Sequence, residues 1–141
     1  MATLVDRQTG RESGGLVRGA RGAVVVLAWI FAAGVVVQVF LAGLSLFESA
    51  SYWADHEAFG RWLGFIPVPL LLLALVGRLP LRLVVLAAAL VVLYGLQFLL
   101  ANVDEGYLAA LHPVNAFALL GTAAQLGSQT RGLPTSLSRE T

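Results

Sequence analysis

Residues 22–47 read GAVVVLAWIFAAGVVVQVFLAGLSLF, and none of them is charged. A helix needs ~20 mostly apolar residues to cross a bilayer core of ~30 Å, so this stretch can span by itself. In lipid the backbone N–H and C=O groups must pair within the segment, which selects an α-helix. The run is too long for the ~7–15-residue apolar centre of a signal peptide, and no small-residue cleavage site follows it. It is expected to remain as a membrane helix.

Three further apolar segments follow. Arg61 and Arg78 bracket Trp62 to Gly77, a segment that begins near Ala58. Leu83 to Val103 is uncharged, and Gly106 to Thr130 holds the fourth, with its apolar body from about Leu111 to Gly127. Mean hydropathy is +0.82. Charged residues make up 12% of the chain, against ~25% in soluble domains. At 141 residues there is room for one domain. The expected architecture is an all-α membrane protein, an antiparallel four-helix transmembrane bundle over residues 22–130. Residues 1–21 read as a disordered cytoplasmic arm and residues 131–141 as a cytoplasmic tail. The turn Gly77-Arg78-Leu79-Pro80 makes the second and third helices antiparallel neighbours, and Pro67 and Pro69 are expected to kink the second. Carbonyls freed by the kink would then be met by neighbouring helices.

Charge gives an orientation. Arg7, Arg11, Arg18 and Arg21 precede the first helix, Arg78 and Arg82 flank the second loop, and Arg131 and Arg139 follow the fourth helix. The other two loops carry Glu48, Asp55 and Glu57, and Asp104 and Glu105. The positive-inside rule places both termini and the second loop in the cytoplasm of a bacterial inner-membrane protein, with only Arg61 on the opposing side. Tyr52, Trp53, Trp62 and Tyr107 fall at the outer boundary as an aromatic belt. A net charge of +1 excludes a polyanionic partner such as nucleic acid. The absence of cysteine excludes disulfides, thiolate nucleophiles, haem thioether links and iron–sulfur ligation. The partners expected are the lipid bilayer and another membrane protein or redox partner.

The chain has two histidines, His56 and His112, opening the second and fourth helices at the outer boundary. Asp55 is the expected N-cap for the first, and Pro113 suits the first turn of the second. A weak repeat links them. Gln38-Val39-Phe40-Leu41-Ala42 resembles Gln97-Phe98-Leu99-Leu100-Ala101, and a histidine follows 18 residues after Gln38 and 15 after Gln97. Gly64 and Gly121 follow the two histidines in turn. Two repeated helix pairs would set His56 and His112 opposite each other. The partial positive charge of a helix N-terminus favours neutral imidazoles with a lone pair to give. Two nitrogens are a poor set for zinc, which usually takes four ligands. Haem brings four equatorial nitrogens and asks the protein only for axial ligands, and without cysteine the fitting kind is b-type.

Gly34, Gly43 and Gly95 would give the flat ring clearance, and Arg61 would pair with a propionate. Gln38 lies nine residues before Phe47, ~13 Å deep at 1.5 Å per residue, and must face the interior. Gln38, with Gln97 in the matching place, is expected to serve as interhelical glue, the functional alternatives being orientation of a histidine or a quinone contact. Asn102 and Asn115 are read as capping residues. The plain alternative for His56 and His112 is a pair of inert interfacial residues. The chain would then be a cofactor-free accessory subunit of a membrane complex, or a small transporter.

Gln38-Val39-Phe40-Leu41-Ala42-Gly43, His56 with Gly60, and Leu111-His112-Pro113-Val114-Asn115-Ala116 resemble an uncharacterised family of small four-helix bacterial membrane proteins. The likeness covers about Val36 to Gly127. The pattern is also distantly similar to one half of haem A synthase, whose halves carry histidine ligands on their second and fourth helices. His56 and His112 match those places. The chain departs from that family in having one half, no Glu and Arg of the family's pattern around His56, and no outer cysteine pair. That resemblance implies haem binding and not haem A synthesis; a haem between His56 and His112 would serve electron transfer or haem handling.

Overall fold

A computed structural model of the chain describes residues 2–134, with side chains from Gly14 onward. Its helices are α1 (Ala2–Phe47), α2 (Tyr52–Leu63), α3 (Pro67–Val76), α4 (Leu81–Ala101), α5 (Gly106–Ala109) and α6 (Leu111–Arg131). There is no strand among the described residues. Four stretches are long and apolar enough to cross a membrane: α1, α2 with α3, α4, and α5 with α6. The expected four-helix bundle is the fold.

The helices pack in a ring. α1 lies between α6 and the α2–α3 span, and α4 lies against α3 and α6. α1 and α4 are therefore diagonal, as are α2 and α6, whose backbones make no close approach. The inward stripes follow helical spacing. They are Val24, Ala28, Phe31, Ala32 and Val35 on α1, Leu83, Ala87, Leu90 and Tyr94 on α4, and Ala116, Leu119, Ala123 and Leu126 on α6. Alanines alternate with large side chains, so helices approach closely and gain dispersion energy, the term left when lipid is as apolar as the core. Val26, Ile30, Val36, Val85, Val92 and Phe117 face outward, as lipid contact requires.

Pro67 and Pro69 do more than kink the second span. Gly64, Phe65 and Ile66 form a break, and α3 restarts with Pro67 at its first position, where a missing N–H costs nothing. Pro67 frees the carbonyl of Leu63, and that carbonyl accepts locally from Ile66 N–H at 3.1 Å, so for it the tighter turn and not a neighbouring helix supplies the donor.

The loop at the end of α3 is a Schellman cap. Leu79 N–H donates to Ala74 O at 3.0 Å and Arg78 N–H to Leu75 O at 3.0 Å. The left-handed position belongs to Arg78, at φ 48°, and not to Gly77. Arg21 reaches across from α1, its Nε–H donating to Gly77 O at 2.8 Å. A cation at a helix C-terminus is favourable by about 0.3–1 kcal/mol. Gly14 to Arg21 continues α1; Ala20 is buried at 6% exposure, while residues 14–16, 18 and 19 are exposed. α1 begins at Ala2, within the arm expected to be disordered, and residues 135–141 of the expected tail lie outside the described residues.

Candidate functional site

The end of the bundle opposite Arg21 carries both histidines. His56 lies in the second turn of α2, which starts at Tyr52. Asp55 is therefore not its N-cap but an acidic residue of the first turn, and Ser51 holds the cap position without a side-chain bond. The Ser49–Ser51 turn starts the helix early, with Tyr52 N–H donating to Ser49 O at 3.1 Å. His112 is the second residue of α6, after the single turn of α5, with Pro113 following.

Each histidine is held in the same way. His56 Nδ1 is 3.0 Å from the backbone oxygen of Gln38, and His112 Nδ1 is 3.1 Å from that of Gln97. A carbonyl only accepts, so Nδ1 is the donor in both rings, and in a neutral ring Nε2 keeps the lone pair. The repeat is therefore real at the level of contacts: each helix pair ties its histidine to the carbonyl of the corresponding glutamine. Metal-binding histidines are held like this, with the second ring nitrogen donating to a carbonyl or carboxylate. The two ring centroids are 6.2 Å apart, with the planes inclined at 56°. The rings meet across the diagonal between α2 and α6, and both are partly buried.

The glutamine side chains differ. Gln97 Oε1 accepts from Asn115 Nδ2 at 2.5 Å, and the same amide donates to Leu93 O at 2.9 Å. Asn115 is thus a buried staple between α6 and α4, at 7% exposure, not a cap. Asn102 does cap, donating to Phe98 O at 2.7 Å at the end of α4. The Gln38 amide packs against Gly60, where a Cβ would run into Nε2. Among the described residues Gln38 Oε1 is buried without a hydrogen-bond partner. Histidine orientation comes from the backbone carbonyls of residues 38 and 97, so the glutamine side chains are not what performs it.

Arg61 lies on an exposed part of α2, 3.9 Å from Glu57. Gly34 receives the Leu63 side chain, a Cβ there lying 2.5 Å from Leu63 Cδ1, so it serves helix packing and not ring clearance. Gly95 and Gly121 face outward, while Gly43 is half-buried with no atom within 4 Å of a Cβ position. An apolar groove of about 320 Å³ lies between α1 and α6, lined by Val35, Val36, Val39, Phe40, Ala116, Phe117 and Leu120. None of the sequence-selected site residues lines it.

Two aromatic residues escaped the sequence reading as site members. Tyr94 is buried and donates its hydroxyl to Gly60 O at 2.5 Å, bridging α4 to α2 one turn beyond His56. A tyrosine in mid-span must find an acceptor for its hydroxyl, which was the available signal. Trp53 stacks on His56, centroids 4.9 Å apart and planes at 21°. Its three-residue spacing from His56 puts the two on one helix face, which was legible once the helix start was known.

Residues 38–104 match the model of a family of unknown function (DUF6220). The match takes in Gln38, His56 and Gln97 and ends before His112. It is consistent with the resemblance to an uncharacterised family, and similarity to haem A synthase is not shown. No curated protein and no solved structure matches the chain.

Proposed function

We propose that this multi-pass membrane protein binds b-type haem through Nε2 of His56 and His112, for electron transfer or haem handling. The observation that carries the reading is the pairing of two identically held imidazoles across the bundle. An axial nitrogen lies ~2 Å from its metal, and the ring centre roughly 1 Å beyond, so two axial rings stand about 6 Å apart. The separation of 6.2 Å fits that requirement. Among the described residues no group of three metal-ligating side chains exists. Haem suits a pair of donors because it supplies the remaining four itself. When bound it would supply a one-electron couple. The protein's part is to fix both rings through the carbonyls of residues 38 and 97. Arginine flanking supports a bacterial inner-membrane location with both termini cytoplasmic, which puts the histidines at the outer face.

The test is an absorption spectrum of the detergent-purified protein titrated with haemin. A six-coordinate low-spin spectrum at one haem per chain is expected, and His56→Ala and His112→Ala should each abolish it. Equal uptake by wild type and the double alanine variant, or no uptake by wild type, would leave a cofactor-free accessory subunit or small transporter.

A further inference from the structure

We propose that the two histidines are unequal ligands: His56 is the fixed one, and His112 is the one that gives up its place to an incoming small ligand. The inference rests on the haem reading and adds a binding function to it. Both rings have the same Nδ1 bond, so the difference lies elsewhere. His56 is also held on its face by Trp53, at 4.9 Å and 21°. The indole is itself braced, its Nε1–H donating to Glu57 Oε1 at 2.9 Å, while Glu57 lies 3.9 Å from Arg61. Among the described residues the one aromatic contact of His112 is His56 itself.

The backbone adds to this: next to His112, Pro113 has no N–H to give to its turn of the Gly106–Arg131 span, whereas α2 has no proline. For His56 to swing away, a carbonyl bond and a stack must break, and for His112 the carbonyl bond alone. An aromatic pair of this kind contributes roughly 2- to 10-fold in an equilibrium constant. The vacated position would take a small σ-donor, such as a diatomic gas on ferrous iron. The exchange transfers no electron, one Fe–N bond breaking as one Fe–ligand bond forms.

The experiment uses full-length haem-loaded protein in detergent. Haem loss to an excess of a scavenging apoprotein is timed for His56→Ala and His112→Ala, and carbon monoxide is added to the reduced forms. His112→Ala should keep its haem and bind carbon monoxide without a slow phase, while His56→Ala should lose haem several-fold faster. Adding Trp53→Ala to His112→Ala should bring its loss rate to that of His56→Ala, and Trp53→Phe should restore retention. Equal loss from the two single variants overturns the inference, as does retention in His112→Ala that ignores Trp53→Ala. Should the Trp53→Ala chain not fold, the two single histidine variants and Trp53→Phe decide. Wild type that takes up no haem overturns the haem reading itself, and this inference with it. Wild type that binds haem while the variants behave alike overturns this inference only.

Discussion

Gln38 and Gln97 occupy matching places in the repeat, yet replacing them should shift stability in opposite directions. Gln97 Oε1 accepts from Asn115 at 2.5 Å, whereas among the described residues Gln38 Oε1 is buried with no partner. Methionine matches glutamine in length and reach, so Gln→Met deletes the amide with little loss of packing. An interhelical hydrogen bond within a membrane averages about 0.6 kcal/mol and reaches ~1.7. Gln97→Met should therefore cost about 0.5–1.5 kcal/mol. An unpaired buried acceptor costs ~1–3 kcal/mol relative to a paired one, so Gln38→Met should gain on the order of 1 kcal/mol. Asn115→Ala loses the bonds to both Leu93 and Gln97, and should cost about 1–2 kcal/mol. The coupling between Asn115→Ala and Gln97→Met should be near 0.6 kcal/mol, and that between Asn115→Ala and Gln38→Met near zero. Equilibrium unfolding in bicelles by steric trapping resolves differences of this size. Shifts of the same sign for the two glutamine variants would refute the reasoning, because the amides would then share one environment. In every variant the histidines should stay in place, since backbone carbonyls hold them.

Further outcomes follow from other parts of the fold. Arg78 holds a left-handed backbone at φ 48°; such a conformation costs a non-glycine residue about 1–2 kcal/mol. Set against glycine's greater freedom when unfolded, Arg78→Gly should stabilise by about 0.5–1 kcal/mol in the same assay. Gly60→Ala places a methyl group against the Gln38 amide and should destabilise by about 1–3 kcal/mol; Gln38→Ala in the same chain should recover most of the loss. Arg61→Ala touches an exposed pair with Glu57 and should change stability by no more than ~1 kcal/mol and loosen haem only slightly, through the Glu57 that braces Trp53; a marked fall in haem affinity would give Arg61 a direct contact with the haem. Reporters fused after Arg131 and within residues 49–54 should give opposite signals, and equal signals would defeat the proposed topology.

Composition and hydropathy alone determined that this chain crosses a membrane four times as helices. Lipid offers the backbone no partners, so a long uncharged run such as residues 22–47 has one way to exist. The Gln-to-His spacing also pointed to both histidines, because polar residues are few enough in an apolar chain to stand out. The sequence could not set the rotation of each helix. Val24 faces the core and Val26 the lipid, yet both are valines, since core and solvent are equally apolar here and no amphipathic stripe records the difference. The fit of the packed faces and a few polar bonds settle that rotation in the fold. Only there does Gly34 become the seat of Leu63 and Gly95 an outward residue. The early start of α2 then puts Trp53 onto His56. The partner of each glutamine was likewise invisible in one dimension: Asn115 stands three residues after His112 and meets Gln97, while Gly60 stands four after His56 and offers Gln38 no hydrogen bond. Which amide is satisfied depends on the helix packed opposite, and that is a property of the tertiary structure.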